Sequence, residues 1–333
     1  MKKTIHRYLI VESLAKLGET LRKNGVPAGV VAKAVHENPW FTPGYIQQAV
    51  SALGVWMEEN TLKAFVDSYP ERKTKPRNVA LIAAGNIPLV GWHDVMAVIL
   101  SGHIAHIRCS HKDQVLMHWL VEAWVQQLPA LADRIFWDVS IAKPDFLIGT
   151  GSNNTARYLE AKFSDVPRII RKNRYSLAVL RPNMAEDELD GLMEDIFLYN
   201  GLGCRNVNNL LVMPGTDWER IWRKIDQYPS EYLNPLYLER VLHEKAKMVV
   251  WGEPLMDCDK LLILPAVSPG RSEMGVIRKI SVEGEAALVE MIAENKHELQ
   301  CIVGIDTPFG ATQYPSLSDF ADDINTMDAL LQI

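Results

Sequence analysis

Val79-Ala80-Leu81-Ile82-Ala83-Ala84-Gly85-Asn86-Ile87-Pro88 is a run of six apolar residues closed by glycine, asparagine and proline, and its reading decides the fold. A short continuous apolar run reads as a strand covered on both faces, as in a parallel sheet, and the Gly, Asn and Pro that follow end it in a turn. Gly91 to Ser101 then reads as an apolar helix and Ile104 to Arg108 as a second strand. Gln114 to Gln127 is helical in pattern, Phe146-Leu147-Ile148-Gly149 is a third strand, and Ala156 to Lys162 is the helix after it. The order βαβαβα predicts an α/β fold with a parallel sheet, whose ligand sites lie in the loops at the carboxyl ends of the strands.

Upstream, Leu9, Val11, Leu14, Leu17 and Leu21 recur at helical spacing, and Gly44 to Tyr69 is a second amphipathic run entered through Thr42-Pro43, a cap with proline at the first helical position. The charged, proline-bounded stretch Pro70 to Pro76 reads as a linker. Downstream, Ser176 to Leu180 is another strand and Ala185 to Tyr199 a helix; further strands are expected at Leu210 to Met213, Lys247 to Val250, Lys260 to Leu264 and Gln300 to Val303. The pattern divides into a helical N-terminal extension over 1–75, an α/β domain over 76–180 and a second α/β lobe over 181–333.

At 333 residues, 48% hydrophobic and 23% charged, the chain has the composition of an ordinary globular protein with room for two lobes. The formal net charge of −6 gives no basic field for a phosphate backbone, so nucleic acid is not an expected partner. The basic start Met1 to Arg7 is followed by Glu12, Lys16 and Glu19 and does not read as a signal peptide, and no apolar run approaches the ~20 residues of a membrane span. Cys109, Cys204, Cys258 and Cys301 are scattered without a C-x-x-C pair, which fits reduced thiols in a cytoplasmic setting.

Cys204 lies in Asn200-Gly201-Leu202-Gly203-Cys204-Arg205-Asn206-Val207, where flanking glycines let main-chain N–H groups approach a reacting atom. It reads either as a presented nucleophile or as a buried structural cysteine. Thr150-Gly151-Ser152, between a strand and a helix, offers N–H groups to a phosphate or is simply a turn. Asn86, at a strand end before Pro88, is either a turn residue or an amide donor aimed at an oxyanion. His93, His103, His106, His111 and His118 show no ligand spacing, so no metal is expected. Trp40, Trp56 and Trp92 read as core or as the lining of an apolar channel.

The ordered blocks Ala84 to Asp94, Gly149 to Tyr158, Arg171 to Arg174, Gly201 to Val207, and Pro308-Phe309-Gly310 with Pro315-Ser316-Leu317 resemble the acyl-CoA reductases related to the bacterial luminescence-type fatty acid reductase, within the aldehyde dehydrogenase superfamily. The resemblance covers residues 36 to 333. It implies an aldehyde-dehydrogenase-like fold, with a nicotinamide-binding domain over 76–180 and a catalytic domain over 181–333. It also implies that Cys204 attacks an acyl-CoA or acyl-carrier-protein thioester, with Asn86 and the Cys204 N–H as oxyanion donors, and that hydride then releases a fatty-type aldehyde. Gly151 and Ser152 match the turn that meets the cofactor pyrophosphate, Arg108 stands where a lysine contacts the adenosine ribose, and Gly85, Ser110, Lys112, Thr150 and Phe309 complete the expected cofactor contacts.

Two departures bear on that reading. Where aldehyde-oxidising members carry a general-base glutamate, this chain has Lys172-Asn173-Arg174-Tyr175-Ser176, with no carboxylate to activate water. The chain is also shorter than typical members and lacks a recognisable hairpin arm for assembly, leaving a homo-oligomer open. His111 replaces the usual acidic ribose partner, so Arg108 and Lys112 favour NADPH while admitting NADH; Lys112 and Asp113 also read as the start of a solvated helix. The alternatives are non-redox acyl transfer or hydrolysis through Cys204, and a catalytically silent interaction module.

Overall fold

The computed structural model describes residues 5–71, 75–137 and 143–333. The chain forms two compact units, one from Met1–Lys172 with Ser316–Ile333 and one from Asn173–Pro315.

The first unit opens with four helices, α1 (Arg7–Asn24), α2 (Ala28–Glu37), α3 (Pro43–Trp56) and α4 (Glu59–Asp67). Thr42 caps α3 as the sequence suggests, its Oγ1 accepting from the Tyr45 N–H at 3.1 Å. Then come β1 (Asn78–Ile82), α5 (Trp92–Leu100), β2 (Ile104–Arg108), α6 (Gln114–Gln127), β3 (Ile135–Trp137), β4 (Phe146–Thr150), α7 (Asn153–Lys162) and β5 (Arg168–Arg171). All five strands are parallel, in the order β3-β2-β1-β4-β5. The chain steps outward from β1 to β3 and then crosses back to place β4 on the other side of β1. A crevice for ligand opens at such a switch, beyond the carboxyl ends of β1 and β4.

The N-terminal helices share one core with this sheet rather than standing apart from it. Leu14 and Leu17 of α1, Ile46 of α3, Val79 and Leu81 of β1 and Trp124 of α6 belong to a single buried cluster. Trp124 Nε1 donates to Ser13 Oγ at 2.9 Å inside it. Trp92 is fully buried and meets Trp124 edge-on at 5.4 Å, which is the core reading of that tryptophan.

The second unit holds β6 (Tyr175–Leu180), α8 (Glu186–Phe197), β7 (Val207–Val212), α9 (Trp218–Gln227), α10 (Pro235–Trp251), β8 (Met256–Asp257), β9 (Leu262–Ala266), β10 (Val276–Ser281), α11 (Glu285–Asn295) and β11 (Leu299–Val303). The sheet order is β11-β6-β7-β10-β9-β8, parallel except for the β8–β9 pair. Because β6 pairs with β7 and β11, the division falls after Lys172, ahead of the expected 180/181 boundary.

Residues 316–333, read from the sequence as part of the second lobe, return to the first unit with α12 (Thr326–Leu331). The buried Arg171 explains the return, since its Nη2 donates both to Asp94 Oδ1 (2.9 Å) and to Thr326 Oγ1 (2.8 Å). Lys247 to Val250 is helix, not strand. The run lies inside α10, where Tyr237, Val241, Glu244 and Met248 are buried at helical spacing and Gly252, at φ 70°, ends the helix. A short β-branched run at a helix end is indistinguishable in sequence from a strand.

Candidate functional site

In the first unit the expected cofactor residues gather at strand carboxyl ends. Gly85 and Asn86 follow β1, Arg108 ends β2 with Ser110 and Lys112 beyond it, and Thr150 ends β4 before Gly151 and Ser152. Arg108, His111 and Lys112 are exposed, while Gly85 is buried against the neighbouring loop. A Cβ on Gly85 would stand 2.7 Å from Ser110 Cβ and 3.1 Å from Asp113 Cβ, so only glycine lets the two loops meet. Ser152 spends its hydroxyl as the cap of α7, accepting from the Thr155 N–H at 3.3 Å. The Gly151 N–H is directed to the Arg171 carbonyl at 3.4 Å, so this glycine's own donor is engaged within the sheet. Next to it, Asn153 Oδ1 is buried without a hydrogen-bond partner among the described residues.

Four of the five histidines weighed as metal ligands make other contacts, and His111 is exposed. His93 Nε2 lies 2.9 Å from the Leu317 carbonyl and His103 Nε2 2.8 Å from that of Leu330, while His106 meets Asn78 Oδ1 at 3.0 Å and His118 stacks on Trp137. Among the described residues no group of three His, Cys, Asp or Glu side chains is placed to hold a metal ion.

In the second unit α8 ends at Phe197 and the chain reverses through Tyr199 (φ 54°), Asn200 (φ 54°) and Gly201 (φ 66°), three successive left-handed residues. For a bulky side chain such as Tyr199 that conformation costs about 1–3 kcal/mol, and strain of this kind persists only where surrounding bonds impose it. Those bonds are present. Asn200 Oδ1 accepts from the Asn234 N–H at the start of α10 (3.0 Å). Asn206, 4% exposed, accepts from the Gly203 N–H (2.8 Å) and donates through Nδ2 to the carbonyls of Leu198 (2.9 Å) and Asp195 (3.1 Å). Ser176 Oγ donates to the Cys204 carbonyl at 2.9 Å.

The loop thus clamped leaves Cys204 exposed. It borders a cleft of about 220 Å³ whose wall includes Arg174, Tyr237, Ser272, Glu273, Met274 and Ile277. The other thiols of this unit are situated differently. Cys258 and Cys301 are buried, and burial pushes both thiols up, away from the reactive thiolate; the Arg205 guanidinium, 3.4 Å from the Cys301 sulfur, only partly opposes this.

Phe309, expected with the cofactor contacts, belongs to the second unit, whereas the others lie in the first. Its ring covers Gly304 and its main chain lies on α8, where a Cβ on Gly191 would stand 2.6 Å from the Phe309 carbonyl carbon. Asp195 fastens this loop by accepting from the N–H groups of Gly310 (2.8 Å) and Thr312 (3.1 Å). Burial pushes the Asp195 carboxyl up, and those two donors pull against it.

Sequence reading assigned no role to Asn206, Asp195, Ser176 or Glu273. Only the first carried a signal, its position in the Gly201 to Val207 block.

No known protein-family profile and no curated protein matches the chain. Solved structures do. The Mycobacterium tuberculosis aldehyde dehydrogenase complexed with NAD+ superposes with a TM-score of 0.65 at 13% identity, covering 92% of this chain and 83% of that one. Aldehyde dehydrogenase 21 from Physcomitrella patens, complexed with succinate, gives 0.64 at 12% identity, covering 96% and 78%. The Streptococcus pyogenes succinic semialdehyde dehydrogenase, with NADP+, gives 0.64 at 12%, covering 87% and 75%. At these identities the likeness establishes architecture: the chain has an aldehyde-dehydrogenase-like α/β fold.

Proposed function

We propose that the protein is an NAD(P)H-dependent oxidoreductase that reduces an acyl thioester to an aldehyde through an acyl-enzyme on Cys204. The observation that carries this reading is the clamped, glycine-flanked loop that leaves Cys204 exposed at a cleft while Cys258 and Cys301 are buried.

The Cys204 sulfur attacks the thioester carbonyl, a carbon–sulfur bond forms to the enzyme, and the carbonyl electrons return to expel the coenzyme A or carrier-protein thiolate, which takes up a proton. Asn86 is the proposed side-chain donor to the oxyanion, on a turn that Gly85 holds tightly against Ser110. Tyr175 and Arg174 occupy the segment where aldehyde-oxidising enzymes carry their base, so this segment has no group to draw a proton from water.

A nicotinamide nucleotide fits the first unit at the switch point between β1 and β4. The exposed Arg108 and Lys112 would hold phosphate charge there, and the orphaned Asn153 Oδ1 at the start of α7 would accept a donor from the ligand. Bound there, it supplies the hydride that turns an acyl group into an aldehyde. The same cationic pair favours NADPH over NADH.

Glu273 in the cleft wall supports a second reading, in which its carboxylate activates water and the acyl group leaves as an acid. Intact-mass measurement with octanoyl-CoA separates the two. Reduction requires an acyl adduct on Cys204 that persists alone and is discharged as octanal on adding NADPH. Discharge as octanoic acid without cofactor, lost in Glu273→Gln, would establish hydrolysis instead.

A further inference from the structure

Asp113 stands at the head of α6, and what its carboxyl does there is unusual. An aspartate at a helix N-cap ordinarily accepts from the N–H of its own first turn. Asp113 makes no such bond. Its Oδ2 instead accepts from the N–H of Leu89, 24 residues back, at 2.9 Å. The side chain is 2% exposed, and Oδ1 is buried without a hydrogen-bond partner among the described residues.

A carboxyl in such a place is desolvated and faces one donor, the Leu89 N–H. Burial pushes its pKa well above the ordinary range and the single Leu89 bond opposes this only in part. The bond therefore serves geometry rather than charge.

Leu89 shows what is being held. Its φ of 59° is left-handed, a conformation that an unsupported leucine leaves. At the other end of the same turn, Gly85 is pressed against Ser110 and Asp113 so closely that a Cβ would not fit. Asn86 lies between the two points of attachment.

We infer that Asp113 is the positioning residue for Asn86, fixing the Gly85 to Leu89 turn so that the Asn86 amide is presented as a rigid oxyanion donor. This inference rests on the proposed role of Asn86, and the experiment distinguishes failure of the one from failure of the other.

The measurement is single-turnover acylation of Cys204 by octanoyl-CoA, read by intact mass, set beside iodoacetamide alkylation of Cys204 read on its peptide. Alkylation involves no oxyanion. Asp113→Ala is expected to slow acylation about ten- to a hundred-fold, the scale of a small misplacement of a catalytic group, and to leave alkylation unchanged. Asp113→Ser, which can cap α6 but is too short to reach Leu89, keeps the helix start intact and is expected to be equally slow. Asp113→Asn keeps an acceptor for the Leu89 N–H and is expected to recover acylation to within about three-fold, as a role in holding the turn requires.

The decisive variant is the double one. If Asp113 acts through Asn86, adding Asp113→Ala to Asn86→Ala slows acylation by less than about three-fold further, because the group it positions is already gone. A fully multiplicative loss, wild-type acylation in Asp113→Ser, or an Asp113→Asn enzyme as slow as Asp113→Ala would each overturn the assignment while leaving Asn86 in place. Wild-type acylation in Asn86→Ala alone would remove the Asn86 role and this inference with it.

Discussion

Replacing Asn206 by alanine removes the three shorter of its four side-chain bonds, together with the long one to the Ile196 carbonyl, at once. The Gly203 N–H loses its acceptor at 2.8 Å, and the carbonyls of Leu198 and Asp195 lose their shared donor at 2.9 and 3.1 Å. Asn206 is 4% exposed, so water does not simply take its place. A buried polar group left unpaired costs about 1–3 kcal/mol. Taking the low end for each, because the carbonyls retain a second lone pair with which to find partners, Asn206→Ala should destabilise the second unit by about 3 kcal/mol.

The kinetic effect should be separable from that loss. The Gly203 bond sets the main chain one residue before Cys204, so its release lets the strained Tyr199 to Gly201 reversal relax and moves the sulfur. A displacement of about 1 Å costs on the order of 10² in rate. Asn206→Asp sharpens the comparison, since a carboxylate still accepts from Gly203 but sets negative oxygen against two carbonyls. It should fold less stably than wild type yet acylate faster than Asn206→Ala. Urea unfolding followed by tryptophan fluorescence gives the first quantity, and octanoyl-CoA acylation of Cys204 under folding conditions the second. Wild-type acylation in Asn206→Ala, with the unfolding midpoint lowered, would refute the positional argument and leave Asn206 a purely structural residue.

Cys204→Ala should abolish the acyl adduct in intact-mass spectra, whereas Cys258→Ser and Cys301→Ser should keep turnover within a few-fold, since both thiols are buried. Asn86→Ala should lower turnover by about 10²–10³, the size of one lost oxyanion donor, measured as aldehyde formation at saturating cofactor. Arg108→Ala should weaken NADPH by about 1.5–3 kcal/mol more than NADH, as fluorescence titration of both would show; equal losses would mean that Arg108 does not meet the 2′-phosphate. The buried Asp113 carboxyl, whose pKa folding raises, makes the folded state bind more protons than the unfolded one once pH exceeds about 4. The contribution of this group to stability should therefore be fully present below that value and be lost as pH rises through the folded pKa. Urea midpoints at pH 5 and pH 8 should differ less in Asp113→Asn than in wild type.

Elements that bury a simple pattern were legible in the sequence. β2 and α6 run over Ile104–Arg108 and Gln114–Gln127, as their apolar spacing indicates. The strands that escaped notice are those whose apolar signal is short or interrupted. β5 is Ile169 and Ile170 between two arginines, β10 carries Arg278 and Lys279 in its middle, and β3 is three residues long. Their strand character comes from pairing with neighbours already in place, which a linear pattern does not encode. The return of residues 316–333 to the first unit was invisible for the same reason, depending on an Arg171–Thr326 contact between residues 155 apart.

The loops at the candidate site show the same limit in a form that explains how they are built. Cys204, Asn86 and the Gly151 turn stand out in sequence because glycine and asparagine mark positions where main chain comes close to something else. Glycine permits that approach but does not enforce it, and a loop rich in it is free to adopt many conformations. Enforcement comes from buried polar side chains elsewhere. Asp113 holds the Leu89 N–H, Asn206 the Gly203 N–H, and Asp195 those of Gly310 and Thr312. Each accepts from the main chain of a glycine-bearing loop, and each is at most 4% exposed, where an acceptor without a donor is expensive. The penalty for breaking such a bond is therefore what keeps the loop in one conformation. Two of the three are carboxyl groups that burial pushes up, Asp113 and Asp195, and neither faces a cation in the bonds that hold its loop. Charge pairing is thus the smaller part of their role, but the two respond differently to the amide. Asp113 accepts through one oxygen, so Asp113→Asn should preserve loop geometry where Asp113→Ala does not, whereas Asp195 accepts through both, so Asp195→Asn keeps only one of its two bonds and sets an NH2 against a main-chain N–H.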